Sequence, residues 1–124
     1  MIPIQTIAIR SGLDIVTARM RVREAARHLG MSLTDQSRIS LATSCLANAL
    51  GLGIDNSIQG QITIEPVTEK ALKGLRIVCT RFNCNEYVPP MAYFSNERWM
   101  VDEFEVMPSV NGNLEITLAK WMVI

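Results

Sequence analysis

Few residues in this chain of 124 belong to types that do chemistry near neutral pH. There are three cysteines, Cys45, Cys79 and Cys84, and a single histidine, His28. The cysteines are odd in number and form no C-x-x-C pair, which fits a reduced protein better than a disulfide scaffold. A thiolate is a nucleophile and a soft metal ligand, so Cys45 could act as a redox sensor or share a soft-metal site with Cys79. A buried free cysteine also serves simply as a small hydrophobe. His28 falls near the end of a helical stretch, where the dipole favours a positive ring, and reads as a cap-end residue rather than a catalyst. Arg19, Arg23 and Arg27 recur four apart, which lines them along one edge of a helix. Such a row is either a solvated face or a contact for an acidic partner.

The stretch that must position Cys45 is the one around which the rest is arranged. From Leu33 to Leu50 the apolar residues Ile39, Ala42, Leu46, Ala49 and Leu50 form a helical stripe. Ser32 stands three residues before Asp35, the spacing of a capping box, and Gly51 and Gly53 close the stretch. A preceding helix runs from Leu13 to Leu29, with Ile15, Ala18, Val22, Ala25, Ala26 and Leu29 on one stripe and Gly30 as its stop. The connection between the two is short, so they are expected side by side on one face of a sheet.

The strands surround this pair. Ile2, Ile4, Ile7 and Ile9 suggest a first strand, with Pro3 near its start or on an edge. Leu52 to Gly60 reads as a polar loop, Gln61 to Glu65 as a strand ending at Pro66, Val67 to Lys73 as a turn, and Leu75 to Thr80 as a strand. Phe82 to Ser95 reads as a loop, and Asn96 to Val101 as a short helix with Trp99 and Met100 packed inward; Trp121 is left as core or interface. Phe104 and Val106, then Asn111-Gly112, then Leu114, Ile116 and Leu118 predict a hairpin. The order is β-α-α-β-β-(short α)-β-β: an α+β two-layer sandwich with an antiparallel or mixed sheet and two helices on one face.

Composition sets the outer limits. The length predicts one domain over residues 1–124. With 12 basic and 12 acidic residues the formal charge is zero, so no global field draws the chain to nucleic acid or an anionic membrane. A hydrophobic fraction of 48% against 19% charged leans towards a buried partner surface. The first residues lack the pattern of a signal peptide and no apolar run reaches spanning length, so the expected location is the cytoplasm.

Several stretches together resemble a known family. Asp14-Ile-Val-Thr-Ala-Arg19, Arg23-Glu-Ala-Ala and Leu33-Thr-Asp-Gln-Ser-Arg-Ile are similar to the start of the small serine kinases of bacterial partner switching. These are the anti-sigma-factor kinases and especially the stressosome switch kinase, of the GHKL group with the Bergerat (histidine-kinase-like ATPase) fold. The likeness continues through Ser44-Cys-Leu-Ala, Gly60-Gln-Ile-Thr-Ile-Glu65, Lys73-Gly-Leu-Arg-Ile-Val78, Met100-Val-Asp-Glu-Phe and Leu114-Glu-Ile-Thr-Leu-Ala-Lys-Trp121.

The resemblance implies a nucleotide site whose parts this chain replaces. The family's second helix carries a Glu, as general base, and four residues later an Asn that holds Mg²⁺; the matching positions are Cys45 and Ala49. Asn48 lies a quarter-turn or more away. After the third strand the family has an Asp that accepts from the adenine amine, then glycines; here stand Arg81, Asn83 and Asn85. The glycine-rich ATP lid is also expected to be lost, since Glu86 to Glu97 holds no glycine. The implied protein is not an enzyme and takes no cofactor or metal. It is a pseudokinase that binds a STAS-type antagonist or scaffold protein, or an active kinase paralogue, with Arg19, Arg23 and Arg27 as the contact. Two alternatives stand beside it: a rearranged ATP-binding kinase using Asn48 or Asn83, and a structural subunit self-associating as a homodimer through the emptied cleft or the sheet surface.

Overall fold

The computed structural model describes residues 2–54, 57–84, 94–108 and 111–123. Its elements run β1 (Gln5–Ile9), α1 (Gly12–Leu29), α2 (Leu33–Ala49), β2 (Gly60–Glu69), β3 (Leu72–Arg81), α3 (Ser95–Met100), β4 (Glu103–Pro108) and β5 (Leu114–Val123). The five strands make one sheet in the order β1-β2-β3-β5-β4, every neighbouring pair antiparallel, so of the antiparallel and mixed sheets expected the antiparallel one forms.

Alternation along the strands decides which face is covered. Ile62 and Ile64, Leu75, Ile77 and Cys79, and Leu114, Ile116 and Leu118 point to one side and are buried with Ile15, Ala18 and Val22 of α1 and Ile39, Ala42 and Leu46 of α2. The result is an α+β sandwich, helices on one face and the other face left to Thr6, Thr63, Glu65, Arg76 and Thr117. Removing these aliphatic side chains from water is the main stabilising term, at about 25 cal/mol per Å² of apolar surface.

Local chemistry fixes the helix ends. The Asp14 carboxylate accepts from the backbone N–H groups of Arg10 (2.8 Å) and Ser11 (3.2 Å) just before α1. Gly30 ends α1 at φ 88°. The Ser32 hydroxyl accepts from the Asp35 N–H at 3.1 Å, the half of the capping box that forms. The Asp35 carboxylate turns instead to Lys120 Nζ at 3.5 Å, and the same ammonium meets Asp102 at 3.3 Å. With Lys120 only 12% exposed, this cation ties the start of α2 to β5 and to the residue leading into β4.

Three expectations need correction. Pro66 does not end a strand: β2 continues to Glu69, with Pro66 opposite Leu75, and Val67 to Lys73 is mostly strand closed by Lys70 and Ala71. The cause is that β1 pairs with β2 only as far as Ile64, so the missing N–H of Pro66 falls on an open edge. The described residues between Leu52 and Gly60 form no helix or strand, as expected, but the two ends are tied together. Leu52 is fully buried and rests on Gly60, where an added Cβ would collide with the leucine and with the Thr80 carbonyl. Trp99 is 87% exposed, because α3 buries Phe94 and Glu97, three apart, and Trp99 lies on the other side. Trp121 covers Gly74 across the β3–β5 pair, on the sheet face away from the helices.

Candidate functional site

Most of the side chains matched to the family's site fall at two places, the C-terminal half of α2 and the end of β3. Near the C-terminal half of α2, Cys45 and Ala49 are half-buried one turn apart, with Ala49 packed against the core. Asn48 is exposed and shares an open cleft of about 190 Å³ with Ser44 of α2 and Gly12, Ile15, Val16 and Arg19 of α1. Burial pushes the Cys45 thiol above its ordinary value, Glu97 of α3 adds to the rise, and Arg19 opposes it. The shift runs away from the thiolate, the form that attacks as a nucleophile, so nothing around Cys45 activates it for such a role.

Glu97 is the residue that sequence reading missed. It is buried at 6% exposure and its charge acts on Cys45, so α3 brings a carboxyl towards the α2 position where the resemblance expects one. The only signal in the sequence is its place three residues after Phe94, on the inward face of a short helix.

At the end of β3, Arg81 is half-buried and its guanidinium donates to the Leu50 carbonyl at 3.0 Å. That oxygen is among the unsatisfied acceptors at the C-terminus of α2, and a cation there also complements the helix dipole. Asn83 sits at φ 57°, the left-handed region that asparagine tolerates, with its N–H donating to Asn113 Oδ1 at 3.1 Å. Cys84 follows, buried, its Sγ 3.4 Å from the Arg81 carbonyl. Asn85 lies outside the described residues, as does most of the segment read as a lost lid, of which Phe94 to Glu97 is described.

The two cysteines weighed as a soft-metal pair do not form a metal centre among the described residues. Cys79 is fully enclosed on the helix side of β3, beside Ile62 and Ile116, and burial pushes its thiol up to about 12. No group of three His, Cys, Asp or Glu side chains able to hold a metal converges there. His28 lies in the last turn of α1 with Glu24 one turn back at 3.7 Å. Arg19, Arg23 and Arg27 are exposed; Arg23 and Arg27 border a groove with Met20 and Gln36, as Arg19 borders the cleft with Asn48. No described helix is long and apolar enough to cross a membrane.

Five antiparallel strands covered on one face by two long helices place the chain in the α+β two-layer class. No family model matches the chain. Over 65 residues it is 43% identical to the serine/threonine-protein kinase RsbT of Bacillus subtilis (strain 168), a stretch that covers 52% of this chain and 47% of that protein. The chain thus spans about half the length of the curated relative it matches, and over that half it is related to an established protein kinase.

Proposed function

We infer that the chain is a non-catalytic Bergerat-fold relative of the partner-switching serine kinases, a pseudokinase that works by binding a protein. The observation that carries this reading is the Arg81–Leu50 hydrogen bond. The position matched to the adenine-binding carboxylate holds a group with donors only, and that group is spent inside the fold on the end of α2. Cys45 and Ala49 support the same conclusion: Mg²⁺ requires hard oxygen ligands, which a protonated thiol and a methyl do not supply. Phosphoryl transfer consists almost wholly of positioning and charge neutralisation, so losing these groups removes the activity rather than weakening it.

The retained surface is then the functional one. Arg19, Arg23 and Arg27 present an unpaired basic row, among the described residues, that suits an acidic face on a STAS-type antagonist or scaffold protein, or on an active kinase paralogue. Isothermal titration of the chain with ATP and MgCl₂ tests the central claim: only heat of dilution is expected, and micromolar binding overturns it.

One observation favours a second reading. Glu97 beside Cys45 returns a carboxyl to the α2 site, and Asn48 lies exposed in the cleft with Arg19, so a rearranged kinase site could be assembled from groups outside the matched positions. Transfer of labelled phosphate from ATP to a serine of a STAS protein, abolished by Glu97→Gln, identifies that case.

A further inference from the structure

The helix layer and the open sheet face each carry one cluster of like charges without ion-pair partners among the described residues, and the two clusters are of opposite sign. On the outer surface of α1, Leu13 is 74%, Val16 43% and Met20 65% exposed, an apolar stripe at i, i+3 and i+7. Arg19, Arg23 and Arg27 run along its α2 side, where Arg19 shares a cleft with Asn48, and Arg23 and Arg27 a groove with Gln36 and with Glu24, whose carboxylate meets His28 at 3.7 Å. None of the three is in an ion pair among the described residues.

The far face of the sheet is the counterpart. Phe104 and Val106 pack against the core, so Glu103, Glu105 and Met107 point away from the helices, and Glu115 stands opposite Met107 on β5. All three glutamates are exposed and none has an ion-pair partner among the described residues, whereas Glu65 on the same face is taken by Arg76 at 3.1 Å. Met107, 50% exposed, supplies an apolar contact within the cluster.

The spacings agree. Arginines four apart on a helix advance about 6 Å per step. Carboxylates on alternate strand positions advance about 7 Å, and Glu115 takes the third step because it faces Met107 across the ladder. Long arginine side chains absorb the remaining difference.

We propose that the chain self-associates head to tail, the Arg19–Arg23–Arg27 row and the Leu13–Val16–Met20 stripe of one copy docking on the Glu103–Glu105–Glu115 face of the next. Because the two surfaces lie on opposite layers, the contact is heterologous and repeats in one direction, which builds short open chains rather than a two-fold dimer. This goes beyond the pseudokinase reading: the contact between copies stands without it, and only the competition with a partner rests on the partner surface inferred there. It also adds a regulatory consequence: the arginines that would meet an acidic partner are occupied in the assembly, so partner binding and stacking exclude each other.

Sedimentation velocity on the full chain from micromolar to millimolar concentration reads the assembly directly. In low salt the weight-average coefficient rises with concentration past that of a dimer, and in about 1 M NaCl, where the screening length falls to about 3 Å, it returns towards that of the 13.8 kDa monomer. Two triple variants decide the geometry, each first shown by circular dichroism to be folded. Arg19→Glu, Arg23→Glu, Arg27→Glu abolishes association, and so does Glu103→Arg, Glu105→Arg, Glu115→Arg. Mixing the two restores it, because each then offers the face that the other needs. A monomer at every concentration in low salt overturns the proposal. So does association that survives in either triple variant, a species that stops at a dimer, or a mixture of the two variants that stays monomeric.

Discussion

Replacing Arg81 by methionine keeps the apolar stem and deletes the charge and donors that reach the Leu50 carbonyl at 3.0 Å. A hydrogen bond to a charged group contributes about 1.5–3 kcal/mol, and half-burial places this one near the lower figure. A cation at a helix C-terminus adds about 0.5 kcal/mol, for a total of about 2 kcal/mol. For a chain of this length the unfolding entropy is about 0.26 kcal/mol per kelvin, so Arg81→Met should lower Tm by about 8 °C. Arg81→Lys keeps the charge without the planar fork and should lose about half as much. Thermal unfolding followed by circular dichroism at matched salt measures both. A methionine variant within about 1 °C of the parent would refute the claim that this guanidinium joins β3 to α2.

Gly74→Ala places a methyl against the Lys120 carbonyl and the Trp121 Cα, backbone atoms of β5 that cannot swing aside, and against the Trp121 ring, and should cost about 3 kcal/mol by denaturant titration. Lys120→Met leaves Asp35 and Asp102 without their shared cation; a loss of about 1–2 kcal/mol that disappears when Asp35→Asn and Asp102→Asn are already present would identify the ion pairs as its source. The Cys79 thiol is raised from its ordinary value of 9.0 to about 12 in the folded protein, so the folded state holds that proton more tightly. Its contribution is complete below pH 9.0 and is lost as pH rises from there to about 12, by up to about 1.4 kcal/mol per pH unit, a decline that Cys79→Ala should lack. Trp99→Phe should leave stability within about 0.5 kcal/mol of the parent while removing the red-shifted part of the indole emission.

What the sequence made legible was whatever repeats at a short period. The stripes of α1 and α2, the Ile62-Thr63-Ile64 alternation and the hairpin around Asn111-Gly112 all appear where periodicity and turn residues place them. Pro66 misled because its tolerance depends on how far β1 extends, a property of another strand. Trp99 misled because large aromatics are usually buried, whereas here Phe94 and Glu97 set the phase of α3. At the candidate site, the α2 positions Cys45, Asn48 and Ala49 could be placed from helical spacing alone. The bond from Arg81 to Leu50, the approach of Glu97 to Cys45 and the Lys120 clasp could not, since each joins residues distant in sequence whose meeting only the packed layers create.

The antiparallel order of the sheet also sets how the protein comes apart. The ladders β2–β3 and β4–β5 are closed by short connections, whereas Gln5 of β1 must find Ile64, about sixty residues away, across both long helices. β1 has five residues and one neighbour, so it zips on last and peels off first, a local opening that hydrogen exchange would detect at its amides well before the central strands. The N-terminal strand is thus the margin expected to exchange first, and the β2-β3-β5 trio the part expected to exchange last.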